Sequence, residues 1–422
     1  MGYGFKPWTE SHAISDGASI LNYLHETAEE HGIHDKIRFN RRVVRASWSS
    51  SEHLWTLEVT HGEVAERWTC NFLLMCAGYY SYKAGHTPPF ADRERFSGPI
   101  IHPQAWPEEL NYKDKRVLII GSGATAVTLL PAMASEAAHV TMVQRSPGYI
   151  IAWPARDLFA NLLRLFLPKM LAYRIARAKN IYMQQFAYRQ TRVRPKMVRQ
   201  WLLKRARKAL GPDFDIETHL SPAYDPWDER LCLSPDGDFF DAIRAGKASI
   251  ETGEVKRFTA EGVGLKDGRE IPADIVVTAT GLTLAVLGEI AFEVDGAPVD
   301  FSQTYTYKGV CFSNVPNLAS VFGYVNASWT LRSDLIARYV CRLLNHMRDT
   351  GSKRCAPKLD LDAQTMADKP FVEGFSPGYL KRAFSILPKQ GAAYPWRNPQ
   401  DLATDRRELG AAPIDDGVMC FD

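Results

Sequence analysis

Apolar and polar positions alternate along this chain in two rhythms, one helical and one extended. Ser19 to His31 repeats its apolar residues at helical spacing and predicts an amphipathic helix. Ile37–Phe39, Val43–Trp48, Trp55–Thr60 and Phe72–Cys76 are short β-branched and aromatic runs that predict strands. Residues 116 to 145 predict a complete βαβ unit: strand Arg116–Ile120, a glycine turn, a helix to about Ser135 and strand His139–Gln144. Further strands are expected near Ala248–Glu251 and Asp274–Thr278, and a polar, proline-containing tail from about Pro388. The fold class is α/β, with no internal repeat.

Charge changes this picture at one place. From Leu158 to Pro212 the chain has no Asp or Glu but fourteen Lys and Arg, on a helical pattern that interrupts the nucleotide-fold segment. Three readings fit such an insertion: a solvated helical cap, a lid over a substrate channel, or a surface for anionic membranes. Elsewhere charges balance, and a formal net charge of +3 over 422 residues gives no reason to expect nucleic acid as a partner. Seven scattered cysteines without CxxC spacing or nearby histidines predict neither a metal site nor a disulfide framework, and point to a reducing, cytoplasmic location. No spanning segment and no signal-peptide pattern is expected.

The first candidate chemistry is the turn Gly121-Ser122-Gly123-Ala124-Thr125-Ala126, followed by Val127. After an apolar strand and before a helix, Gly121 can make the tight turn. Gly123 lets the backbone approach a pyrophosphate, and Ala126 allows close helix–strand packing. The helix start then offers free N–H groups to phosphates. Where an NAD site carries an acidic residue for the ribose, this chain has Gln144-Arg145-Ser146, which favours a 2′-phosphate and hence NADPH. The plainer alternative is an ordinary glycine turn with Arg145 simply solvated.

Upstream lies Phe96-Ser97-Gly98-Pro99-Ile100-Ile101-His102-Pro103-Gln104-Ala105-Trp106-Pro107. By chemistry alone His102 reads as a core histidine and Trp106 as packing. The spacing of Phe96, Gly98, His102, Trp106 and Pro107, however, resembles the fingerprint of type I Baeyer–Villiger monooxygenases within the flavin-containing monooxygenase family. Leu74–Gly78 and Asp274–Gly281 resemble that family's two strand-to-glycine crossings between its FAD and NADP domains. Gly121–Val127, Gln144–Pro147, Pro226–Cys232 and Gly323–Leu331 are most similar to the ethionamide-activating subgroup.

The resemblance implies a two-dinucleotide-binding-domain flavoprotein using FAD and NADPH. Residues 1–110 would be the remainder of the FAD domain and a linker. Residues 111–280 would be the NADP Rossmann domain with insertion 158–212, and residues 281–422 the C-terminal part of the FAD domain and tail. His102 and Trp106 would belong to a hinge coupling coenzyme position to oxygenation. Arg230 would be catalytic, stabilising the anion formed when reduced flavin takes up oxygen. Without the family context, Arg230 reads equally as a loop arginine paired with Asp225 or Asp228. Val43 would contact the flavin adenine through its backbone. One departure is Glu229, where some relatives carry a lysine for the coenzyme phosphate, leaving that task to Arg145 and Ser146.

The family's first FAD turn, its G-G-T-W stretch and an active-site aspartate are not found in this sequence. The resemblance therefore sets Met1 about sixty residues inside the usual protein. The FAD domain is expected to be incomplete and the chain as written impaired. The implied activity is oxygen insertion from O2 into ketones, giving esters or lactones, with oxidation of thioether or thioamide sulfur beside it. The rivals are an N- or S-oxidising flavin monooxygenase without ketone chemistry, which Trp106-Pro107 argues against, and a non-catalytic NADP-binding remnant.

Overall fold

The computed structural model describes residues 2–359, 366, 368–375 and 377–422. Its centre is a five-stranded sheet, all parallel, in the order Ala248–Thr252, His139–Gln144, Arg116–Ile120, Ile275–Thr278, Ile100–Ile101. The middle strand explains why it lies there. Val117 and Ile119 pack with Val127 and Leu130 of helix Ala124–Ala134, whereas Leu118 and Ile120 pack on the opposite side against Phe258, Val263 and Leu265. A strand apolar on both faces is stable only between two covered layers. The second cover is a three-stranded antiparallel sheet, Val255–Thr259, Gly262–Leu265 and Glu270–Pro272.

A second five-stranded sheet runs Ala297–Pro298, Ala291–Val294, Arg42–Ser49, Leu54–His61, Val64–Cys70. Trp48 and Trp55 are opposite each other in its register and build its core with Phe292 and Phe301. A short parallel pair, Leu73–Met75 with Leu318–Ser320, leads into the Gly78 crossing. The basic insertion is three helices, Leu158–Phe166, Lys169–Val193 and Pro195–Leu210. It leaves from strand Ile150–Trp153 and its chain returns to strand Cys232–Pro235, which pairs parallel with the first. Among the described residues no helix is long and apolar enough to cross a membrane.

Three expectations need correction. Ile37–Phe39 is no strand: it follows the short helix His34–Lys36, pairs with nothing in the sheets, and leaves Ile37 and Phe39 exposed. Strand Val64–Cys70 was not foreseen, because as an edge strand it carries mostly exposed or half-buried positions and lacks an apolar run. The segment after Pro388 is not a tail. Helix Leu402–Glu408 and strand Met419–Phe421 fold back, and Leu402, Leu409, Ile414 and Met419 share a core with helix Trp329–Thr350.

A buried ion pair locks that return. Arg332 and Asp405 are 0% and 1% exposed at 2.9 Å, and the guanidinium also donates to the carbonyls of Lys308 and Phe322. Tyr324 donates its hydroxyl to the same carboxylate. Removing one partner strands the other charge in a dry core. Asp405→Ala is expected to cost about 3–5 kcal/mol in denaturant unfolding, far more than an exposed ion pair such as Arg348–Asp349.

Candidate functional site

The glycine turn stands at the C-terminal ends of the parallel strands, where open α/β sheets hold their ligands. Gly121 has φ +142°, and a Cβ there would sit 2.3 Å from the Ala279 carbonyl oxygen of the neighbouring crossing. Gly123 caps helix Ala124–Ala134 with no side-chain bond, and a Cβ on it would meet nothing within 4 Å. The first turn's N–H groups, including those of Ala124 and Thr125, therefore look into open space, with Ser122 in the loop before them. Ala126 and Val127 are buried beneath. At the end of the next strand Arg145 and Ser146 are exposed, and Arg145 has no ion-pair partner among the described residues. Gln144, buried just before it, donates to His219 and Thr252 but leaves its Oε1 without a partner.

The Phe96–Pro107 segment crosses this sheet from face to face. Phe96 is buried against Phe258 on one side, and Trp106 packs on the helix-side core. Between them Gly98 runs so close that a Cβ would be 2.2 Å from the Asp274 carbonyl, and Ile100–Ile101 joins the sheet beside Ile275–Thr278. His102 then turns back. Its Nδ1 accepts from the Gln104 amide at 3.2 Å, so the ring proton lies on Nε2, which donates to the Gly281 carbonyl at 3.1 Å. The same carbonyl accepts from the His86 amide at 2.9 Å. His102 thus fastens the linker to the second crossing and is not free for proton transfer in this state.

Arg230 is half-buried, and neither neighbouring aspartate holds it. Asp228 pairs with Arg192 at 2.9 Å, and Asp225 accepts no ion pair among the described residues. Instead Arg230 donates to the Val325 carbonyl at 3.3 Å, lies 5.3 Å from the Phe375 ring centre, and stands close enough to Tyr379 for its charge to act on that hydroxyl. Tyr79 and Tyr80 share a 3.0 Å hydroxyl bond, Tyr80 meets the Tyr379 ring edge-on at 6.2 Å, and Trp329 stacks on Tyr79 at 4.9 Å. Burial pushes the Tyr379 hydroxyl up to about 12 and those of Tyr79 and Tyr80 upward too, so all three stay neutral donors. Trp227 belongs to the same cluster, and its buried Nε1 has no partner. Burial also raises the Glu229 carboxyl, against the pull of Lys381 and Arg145. These tyrosines were missed in sequence; for Tyr79 and Tyr80 the signal was their position directly after the crossing glycine Gly78, whereas Tyr379 joins them only through folding.

The arrangement can be tested against the groups such a fold carries. For a dinucleotide pyrophosphate the open, uncapped turn at Gly123 fits. For a ring that gains negative charge, the donors Arg230, Trp227 and the uncapped start of helix Trp329–Thr350 fit. Val43 sits apart from both, half-buried in strand Arg42–Ser49 beside a bulge in its pairing with Leu54–His61. For a second pyrophosphate this sequence holds no further G-x-G-x-x-G or G-x-G-x-x-A pattern.

The flavin-binding monooxygenase-like family matches residues 10–354. The chain belongs to that family. Over 423 residues it is 46% identical to the FAD-containing monooxygenase EthA of Mycobacterium tuberculosis, aligning all of this chain with 86% of that protein. Among solved structures it is similar to cyclohexanone monooxygenase bound to ε-caprolactone, with TM-score 0.71, 18% identity, and 96% of this chain against 84% of that one. OTEMO crystallised with FAD and NADP gives TM-score 0.67 at 20% identity, covering 83% of this chain and 74% of that one. The two-dinucleotide flavoprotein fold and membership of the flavin-containing monooxygenase family are therefore borne out, and the chain is an FAD monooxygenase-family enzyme.

The two glycines of the turn should separate fold from binding. Gly121→Ala drives a Cβ into the Ala279 carbonyl and should lose about 1–3 kcal/mol of stability. Gly123→Ala should stay within about 0.5 kcal/mol of the wild type in thermal unfolding, yet weaken a nicotinamide dinucleotide in direct titration, because the methyl fills the open space over the helix start.

Proposed function

We propose that this chain is an NADPH- and FAD-dependent monooxygenase that inserts one oxygen atom from O2 into ketones, giving esters or lactones. Thioether and thioamide sulfur are oxidised at the same centre. The second oxygen atom leaves as water, with NADPH supplying the two electrons. The observation that carries the reading is Arg230: a permanent cation without a carboxylate partner, set among neutral hydroxyl donors and aromatic rings. FAD, when bound, supplies the acceptance of hydride and the activation of oxygen.

The remaining tasks fall to this chain's own groups. The N–H groups from Ser122 to Thr125 hold the coenzyme pyrophosphate above buried Ala126 and Val127, and Arg145 with Ser146 takes the 2′-phosphate. Glu229 feels the charge of Arg145 and so subtracts from the field that draws that phosphate in. His102, bonded to the Gly281 carbonyl, ties movement of the linker to movement of the crossing, and Trp106 anchors the linker's far end in the coenzyme-side core. Arg230 stabilises oxygen-centred negative charge as it develops, which a guanidinium does best in a site sheltered from water. The lactone bound to cyclohexanone monooxygenase supports ketone insertion, and the 46% identity to EthA supports the flavin chemistry.

Coenzyme choice is tested at Arg145. Arg145→Ala should weaken NADPH by about 1.5–3 kcal/mol, roughly ten- to a hundredfold in Kd, and leave NADH nearly unchanged; equal losses would refute the assignment. The oxygenation role is tested at Arg230 with FAD supplied. Arg230→Ala should still consume NADPH but release hydrogen peroxide in place of ester or sulfoxide, since only the later step develops the charge it stabilises. Undiminished product per NADPH would remove Arg230 from the mechanism.

A further inference from the structure

Helix Leu158–Phe166 is amphipathic the wrong way round for a water-soluble surface. At 100° per residue, Leu158, Leu162, Leu165 and Phe166 share one face, and they are 75%, 55%, 77% and 77% exposed. The polar face is the one turned to the protein. Asn161 donates to the Ser11 carbonyl and Arg164 to the carbonyls of Thr9 and Glu10, so the helix is held on by hydrogen bonds while its leucines face outward. The next helix continues the theme: Leu171, Ile175, Tyr182, Phe186 and Val193 fall within one stripe along Lys169–Val193 and all are exposed.

Charge decides what covers this face. Between 158 and 212 there is no acidic side chain. Arg177, Lys179, Arg192 and Arg207 are paired with carboxylates from outside the segment. Lys169, Arg174, Arg189, Arg194, Lys196 and Lys204 have no acidic partner among the described residues. A second copy laid on this face would set cation against cation, which disfavours self-association through it. An anionic lipid surface accepts both features at once, apolar side chains below the headgroups and cations among the phosphates.

We propose that the helical insertion 158–212 docks peripherally on anionic lipid bilayers, with Leu158, Leu162, Leu165 and Phe166 inserted and Lys169, Arg174 and Arg189 at the headgroup level. The proposal rests on the surface alone and stands whether or not the coenzyme and ketone assignments hold. The test is flotation of the purified chain with phosphatidylcholine–phosphatidylglycerol vesicles and with pure phosphatidylcholine vesicles. Partitioning should be at least tenfold stronger on the anionic vesicles and fall as salt is raised. The variant L162E/L165E/F166E should lose vesicle binding, and K169E/R174E/R189E should weaken it by roughly fivefold or more per charge. Both sets of positions are exposed, so circular dichroism should be unchanged; if the apolar variant unfolds, the charge variant decides. Absence of vesicle binding, equal binding to both vesicle types, or binding untouched by the charge variant would overturn the proposal. So would light scattering that shows an oligomer dispersed by L165E with no vesicle binding, which makes the face a protein interface instead.

Discussion

Everything at the site depends on two backbones meeting where the central strands end. The Ala279 carbonyl lies where a side chain on residue 121 would be, and the Gly281 carbonyl accepts both the His86 amide and the His102 ring. That proximity brings the glycine turn, the linker and the second crossing into one place. It is possible only because Gly121 and Gly281 both adopt positive φ without a Cβ to hinder them. A side chain on residue 121 would push the turn from the crossing and disturb each partner in turn.

From this junction the two halves of the site diverge. On one side the uncapped helix start and exposed Arg145 offer fixed positive field to phosphates that arrive from solvent. On the other side Arg230 is sheltered by Tyr79, Tyr80, Tyr379 and Phe375, where a charge acts through a weaker screen. The contrast suits the two tasks proposed for them. Coenzyme has to come and go, whereas negative charge that appears during reaction is best met by a cation already in position. Placing Asp228 on Arg192 instead of Arg230 keeps that cation uncommitted.

The basic insertion stands outside this logic and uses the fold as a platform. It begins and ends on one parallel pair, Ile150–Trp153 with Cys232–Pro235, so its three helices add a surface without interrupting the sheet. Arg230 lies beyond the insertion, two residues before that returning strand, and Arg192 of the insertion takes Asp228. The surface and the loop that carries Arg230 are therefore parts of one connected segment, tied together by the Arg192–Asp228 pair.

The sequence by itself determined what repeats locally. The strand–turn–helix–strand of 116–145, the uninterrupted positive charge of 158–212 and the spacing of Phe96, Gly98, His102 and Trp106 are all short-range patterns set by backbone period and side-chain type. Only the tertiary structure decided what depends on distant partners. Polar residues after Pro388 read as a tail because Asp405 and Asn398 gain their meaning from Arg332 and Phe371, brought to them by folding. Ile37 and Phe39 look like a strand but find no neighbour to pair with. Arg230 was recognisable as a candidate, yet whether it was paired or free turned on Arg192, thirty-eight residues away along the chain. Periodicity records which face of an element is apolar; it carries no record of which element will meet that face, and that choice belongs to packing.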